Sequence, residues 1–241
     1  MPPSIYDDNI VALVDILGWS ELVNQVSTIE EIEKVIHAAV TLNVSAEASA
    51  ERRTMFDEHG LGRAANTRFA YFSDTAVLSC PAEASESGWM CSEVQMLCRR
   101  LLRLGVLTRG AIVRGKLFHK PGMLFGPALV EAHLIERDVA KYPRIVVTPD
   151  AAPFVLTAAD PNHAPYPGEP QSKSDADGLL FMEIFGNRSD GKRLRSDQDE
   201  AREALARIRA QLAATSKLAY RAKLGWMVAY LESVLAADAA A

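Results

Sequence analysis

Residues 9 to 24 constrain the fold more than any other stretch. Five consecutive apolar residues, Ile10, Val11, Ala12, Leu13 and Val14, run into Asp15, followed by Ile16, Leu17, Gly18, Trp19 and Ser20. A short apolar run of this kind reads as a strand buried on both faces. Asp15 at its tip is a charge that no apolar core accepts without a partner. Gly18 supplies a turn, and Ser20 is placed to cap a helix beginning at Glu21. A strand-end carboxylate followed by a glycine turn and a helix start suits a cation and a phosphate together. The cation would go to Asp15 and the anion to the N–H groups of Leu17 to Ser20. The plainer alternative is that Asp15 caps a turn.

A second stretch raises the stakes. Between Thr67 and Cys80, two strand-like runs flank Ser73-Asp74, which reads as a hairpin tip. Asp74 therefore also ends a strand. If the two strands are neighbours, their carboxylates meet, and one must hold a proton unless a cation lies between them. A pair of divalent ions removes that cost, as two-metal phosphoryl transfer requires. Against this, Ser-Asp is a common turn dipeptide.

The rest of the chain supplies the frame. Thr28 and Glu31 form a capping box for a helix running toward Met55, and a second helix covers Glu86 to Leu104. Val106 to His119 reads as a strand in which Gly110 and Gly115 imply a bulge or a close approach by ligand or backbone, with Arg109, Arg114 and Lys116 as cations and Arg109 one residue out of alternation with the other two. Gly126-Pro127 opens a helix through Asp138, Ile145 to Thr148 is a strand, and Gly178 to Phe185 a last one. The segment 158–177 reads as a polar surface loop without chemistry, and 196–236 as a long helix or helical pair. This order gives an α+β, ferredoxin-like plan: an antiparallel sheet with helices on one face.

Composition narrows the classes. At 241 residues the chain holds one large domain, or one domain with an extension. A net charge of −5 gives no reason to expect a nucleic-acid or anionic-membrane partner. Cys80, Cys91 and Cys98 show no metal-ligand spacing, which points to reduced core thiols and a cytoplasmic setting. The opening Met-Pro-Pro-Ser lacks the pattern of a signal peptide, and no apolar run approaches a membrane span.

Several of these stretches resemble one family. Asp15-Ile16-Leu17-Gly18-Trp19-Ser20 resembles the Asp-Ile-x-Gly-Phe-Thr signature of class III nucleotidyl cyclases. Phe72-Ser73-Asp74 is similar to the hairpin carrying their second metal aspartate, and Arg109 to Gly115 to their Arg-x-Gly-Ile-x-x-Gly strand. The resemblance spans residues 8 to 150 and implies a catalytic domain over 1–190 with a C-terminal helical extension over 191–241. It implies two Mg²⁺ or Mn²⁺ ions held by Asp15, Asp74 and the carbonyl of Ile16. The triphosphate would lie against Leu17, Gly18, Trp19 and Ser20, and Arg109, Arg114 or Lys116 would neutralise developing charge. The strand residues Arg68, Phe69, Ala70 and Tyr71 would meet the base, and the site would form between the subunits of a homodimer.

Departures from the purine cyclases refine that expectation. Ala70 and Met123 stand where those enzymes place base-reading lysine and aspartate, and Val130 and Leu134 where they place a transition-state Asn/Arg pair. The run from Gly126 to His133 with Glu136 and Tyr142 to Ile145, together with Lys223 to Tyr230, is similar to the pyrimidine cyclases of Pycsar antiphage systems. That resemblance implies UTP as substrate and 3′,5′-cyclic UMP as a defence messenger. The alternatives are a cytidylate cyclase, or a catalytically silent cyclase-like dimer with a regulatory role.

Overall fold

The structure is a computed structural model that describes residues 5–24, 26–58, 66–156, 172–185 and 194–239. In chain order it contains β1 (Asp7–Ile16), α1 (Trp19–Asn24), α2 (Ile29–Glu58), β2 (Arg68–Phe72) and β3 (Thr75–Pro81). Then come α3 (Ala84–Arg103), β4 (Thr108–Lys120), β5 (Met123–Phe125), α4 (Pro127–Asp138) and β6 (Ile145–Val147). The chain closes with α5 (Ala152–Leu156), β7 (Ser172–Ser174), β8 (Leu180–Met182), α6 (Arg195–Ala214) and α7 (Leu218–Ala239). The strands form one sheet in the order β2-β3-β1-β4-β6-β8-β7, with β5 folded back on β4.

β1 is the central strand, and its alternation sorts the core. Ile10, Ala12, Val14 and Ile16 face Ala38 and Leu42 of α2 and Met90, Val94 and Leu97 of α3. Val11 and Leu13 face the other way, against Ala128 and Ala132 of α4. Each of these side chains is at most 3% exposed, worth about 1.5–3 kcal/mol apiece for the larger ones. The strand is thus buried on both faces, as its unbroken apolar run requires.

The α+β architecture with C-terminal helices is as expected, and two particulars differ from the ferredoxin-like plan. The pair β4–β6 is parallel, so the sheet is mixed. Helices also lie on both faces, because α4 covers the side opposite α2 and α3. Gly110 is the reason β1 and β4 can pair so closely: a Cβ there would come within 1.9 Å of the Leu13 carbonyl oxygen. The approach is by backbone, as one of the two readings of that glycine held.

The N-terminus of α2 carries the expected capping box. The Glu31 N–H donates to Thr28 Oγ1 at 3.2 Å, and the Thr28 N–H donates to Glu31 Oε2 at 3.0 Å. The three cysteines are free and buried, and burial pushes the Cys91 thiol up to about 12 and Cys98 to about 11.

α6 and α7 pack on the sheet through Leu17, Leu102, Leu107, Phe181 and Phe185, so this helical pair shares a core with the strands. The joint at 190 between the expected domain and its extension lies outside the described residues, as do most of 158–177. The end of that expected loop is not idle: β7 begins at Ser172, and Asp175 and Asp177 ion-pair with the fully buried Arg144. Among the described residues, no helix is long and apolar enough to cross a membrane.

Candidate active site

Asp15 continues the alternation of Val11 and Leu13, so its carboxylate emerges on the α4 face. Its cross-strand neighbours are Thr75 on β3 and Arg109 on β4. The Thr75 hydroxyl donates to Asp15 Oδ1 at 3.3 Å, and Arg109 Nε lies 3.6 Å from Oδ2. Arg109 Nη2 reaches across to Glu136 Oε1 on α4 at 2.5 Å. Glu136 is itself buried, in line with Ala128 and Ala132, and His133 Nδ1 stands 3.7 Å from its other oxygen.

Asp74 joins them from the β2–β3 turn. Its carbonyl accepts the Ile16 N–H at 3.0 Å, which ties the tip of the hairpin to the end of β1. Ser73 holds φ 55, the left-handed conformation that closes this two-residue turn. The electrostatic result is concentrated on Asp15. Burial raises its carboxyl from 3.8 to about 6, the charges of Glu136 and Asp74 add to the rise, and Arg109 and Thr75 oppose it.

This donor set suits a divalent cation. Among the described residues no cluster of three or more His, Cys, Asp or Glu ligands exists, so the protein offers a carboxylate pair, Asp15 and Asp74, rather than a closed cage. Mg²⁺ is characteristically held that way, by one or two carboxylates, with water and substrate phosphate completing its shell.

The expected site residues divide. Asp15, Ile16, Asp74 and Arg109 come together. Gly18, at φ 79, and Ser20 are exposed at the turn into α1, while Trp19 between them is half-buried against the core under α2 and α3. The Leu17 N–H, expected to face an anion, instead donates to the Leu107 carbonyl at 2.9 Å. Arg114 and Lys116 are one residue out of step with Arg109, and on a strand that sends them to the opposite face. There Arg114 pairs with Asp8 at 2.7 Å and stacks on Phe154, away from Asp15.

β2 splits by the same rule. Arg68 and Ala70 sit beside Ser79 and Val77 on the α4 face. Phe69 packs against the core on the other side, and Tyr71 donates its hydroxyl hydrogen to Asn43 Oδ1 of α2 at 2.8 Å. A cavity of about 950 Å³ opens on the α4 face, between β2, the β4–β5 hairpin and α4. Leu13, Thr75 and Val77 bring its floor to the edge of the Asp15 cluster. Ala70, Met123, Leu129 and Val130 make much of its wall apolar, Phe69 and Tyr71 line it as well, and Asn66, Arg68, His119, Lys120 and His133 are among its polar groups.

Two charged residues at the site escaped the sequence reading as participants, Glu136 and Lys223. Lys223, on α7, is half-buried and close enough to Arg109 and Asp15 for both charges to act on it. The legible signal was the same for both. Each is a charge continuing an inward-facing stripe of a helix, at 128–132–136 in α4 and 220–223–227–230 in α7.

No protein-family model and no curated relative matches the chain. Among solved structures it is similar to an adenylyl cyclase from P. aeruginosa at 10% identity and a TM-score of 0.48, over 73% of this chain and 93% of that one. It is also similar to the monomeric guanylyl cyclase domain of a fusion protein from the aquatic fungus Blastocladiella emersonii, at 13% identity and 0.47, over 76% and 97%. A third is the catalytic core of a rhodopsin-guanylyl cyclase with converted specificity in complex with ATPαS, at 12% identity and 0.46, over 76% and 97%.

Proposed function

We propose that the chain is a nucleotidyl cyclase that closes a nucleoside triphosphate, UTP by preference, into its 3′,5′-cyclic monophosphate with release of pyrophosphate. The observation that carries this reading is the meeting of Asp15 with Asp74 and Arg109, with the Asp15 carboxyl raised to about 6 by burial and, after that, by its acidic neighbours. Such a carboxylate pair is costly at neutral pH unless a cation joins it. Two Mg²⁺ or Mn²⁺ ions bound there would acidify the ribose 3′-hydroxyl and steady the β- and γ-phosphates. Asp15, Asp74 and the Ile16 carbonyl are the groups that would hold them.

The chain's own part is position and charge. The N–H groups at the start of α1, from Gly18 to Ser20, would serve the phosphate oxygens, since the first donors of a helix have no partner within it. Arg109 neutralises charge on the leaving pyrophosphate, and Glu136 holds its guanidinium in place. The 3′-hydroxyl attacks the α-phosphorus, its proton leaves to solvent, and the bond to the β-phosphate oxygen breaks.

The cavity beside this cluster is the place for the base. Ala70 and Met123 line it where purine cyclases carry polar base readers, so the pyrimidine preference rests on resemblance together with an apolar wall. Arg68 and His133 are among the groups there able to bond a ring edge. Phe72 is 85% exposed, Val130 59% and Met123 54% along the rim of the cavity, an apolar margin suited to a second copy of the chain closing the site. A homodimer with a composite pocket follows, and a role in antiphage signalling extends the same proposal.

The apolar Val130 and Leu134 on α4 favour a second reading, a silent nucleotide-binding dimer. Incubation with each of the four nucleoside triphosphates and Mn²⁺ separates the two. Pyrophosphate with a cyclic product excludes silence, cyclic UMP supports the preferred substrate, and absence of product from all four refutes the cyclase reading.

A further inference from the structure

α2 carries its larger apolar side chains on the wrong side for a helix that only covers a sheet. Its inward side, against β1 and α3, consists of Ala38, Leu42, Ser45 and Ser49, each at most 7% exposed. Its outward side carries Ile29, Ile32, Ile36, Val40 and Val44, which are 45% to 75% exposed. Steps of three and four residues keep these five on one stripe, opposite Ala38. From Ile29 to Val44 the stripe runs about 22 Å along the helix, at about 1.5 Å per residue. β-Branched residues lose χ1 freedom on a helix, and in water nothing offsets that loss. Single exposed aliphatics are ordinary on a protein surface, whereas a continuous stripe over four turns marks an interaction face.

The charges around the stripe indicate what covers it. Glu30 and Glu33 border its first turns, and Glu47 and Glu51 continue it beyond Val44, all four exposed. Among the described side chains of this outward face there is no Lys or Arg. The nearest cations turn the other way: Lys34 is half-buried and lines the small cavity shared with α1 and the α6–α7 turn, and Arg100 of α3 donates to Ser45 Oγ at 3.1 Å. A second copy of α2 laid along this one would set acidic margin against acidic margin, and like charges facing each other across an interface oppose association. A helix with one apolar face and Lys or Arg beside it instead meets apolar with apolar and acid with base.

We propose that the outward face of α2 is a docking surface for a basic amphipathic helix of a partner protein, held by apolar contact along Ile29 to Val44 and by ion pairs to Glu33 and Glu47. This surface is independent of the cyclase reading, since α2 lies across the sheet from the face on which Asp15 emerges. It is nonetheless in touch with the cavity there: Asn43, at the border of the stripe, accepts the Tyr71 hydroxyl at 2.8 Å, and Tyr71 lines that cavity.

The test uses the full chain and a labelled peptide of about 18 residues built from leucine and lysine, with its leucines on one helical face, followed by fluorescence anisotropy at low salt. The wild type is expected to bind it at least about tenfold more tightly than a scrambled peptide of the same composition, or one with glutamate for lysine. Ile36→Ala with Val40→Ala should weaken binding about tenfold or more, and Glu33→Lys with Glu47→Lys should do the same. Alanine is the better helix former, so the first variant should melt no lower than wild type. Equal affinity of the wild type for all three peptides overturns the proposal, as does binding by both variants at the wild-type level. Lowered melting of Ile36→Ala with Val40→Ala also overturns it, because the stripe would then be packed within the chain itself. Self-association in sedimentation that the same two substitutions abolish would assign the face to a second copy and overturn it too.

Discussion

Asp15→Asn should make the metal-free protein more stable at neutral pH while removing its activity. The folded carboxyl titrates near 6 against an ordinary 3.8. It therefore holds its proton more tightly than the unfolded chain does, and between about pH 4 and 6 the folded state carries the extra proton. Wild-type stability must fall as the pH rises through that window. The shift of roughly two pH units corresponds to about 3 kcal/mol at most, at about 1.4 kcal/mol per unit. Arg109 is already included in that net value, as is Thr75. Because the side chain is 19% exposed, solvent screening brings the expected effect to about 1–2 kcal/mol. Asparagine keeps the shape and the Thr75 bond but has no charge to lose. Urea titrations of both proteins in chelator, from pH 4 to 8, should show curves that meet at the acid end. They should separate by about 1–2 kcal/mol at pH 8, with the variant the more stable. Adding Mn²⁺ should reverse the order, since a ligand at about a hundred times its dissociation constant adds about 2.7 kcal/mol to the wild type alone. A variant less stable than wild type at pH 8, or a gap that does not change with pH, would refute the account of Asp15 as a crowded carboxylate awaiting a cation.

Asp74→Asn should abolish cyclic product in the four-nucleotide assay and leave the melting temperature within a few degrees of wild type. Arg114→Ala should keep turnover within about twofold, since the residue faces Asp8 and Phe154 on the far side of the sheet, and a surface pair of this kind is worth about 0–1 kcal/mol. A large loss of kcat in that variant would contradict the placement of the site on the α4 face. Gly110→Ala should fail to fold or melt far lower, by more than about 4 kcal/mol in stability, because its methyl group would overlap the Leu13 carbonyl. Arg144→Met should cost about 1–3 kcal/mol in urea unfolding, since it removes the ion pairs to Asp175 and Asp177 but leaves those carboxylates partly open to water.

The strands and helices were legible because their causes are local. β1 announces itself by an unbroken apolar run, α2 by the Thr28–Glu31 capping box, and α4 by Pro127 at its first turn. The approach of Asp15 to Asp74 was legible as a condition, namely that the strands be neighbours, and the β1–β3 register meets that condition. Face assignment was legible for β4, where the odd spacing of Arg109 and Arg114 sends one to each side of the strand, but alternation alone does not say which face carries the site. Alternation sends Phe69 and Tyr71 to the other face of β2 from Arg68 and Ala70, yet all four line the cavity proposed for the base. The parallel β4–β6 pair and the ion pairs of Arg144 with residues past 174 depend on long-range contacts, which carry no local pattern.

The charges that matter most here share a feature that does not depend on any family resemblance. Asp15, Glu136 and Lys223 each occupy a position where the element's own period calls for an apolar side chain. Each departure carries a desolvation cost that packing cannot return. On β1, α4 and α7 those departures converge within reach of one guanidinium, that of Arg109. Unrelated errors of patterning would scatter over the fold, whereas a binding site for a metal-bound polyphosphate needs acids and bases gathered at one point. Violations of period on three separate elements, all felt by one guanidinium, are the pattern that the proposed site would require.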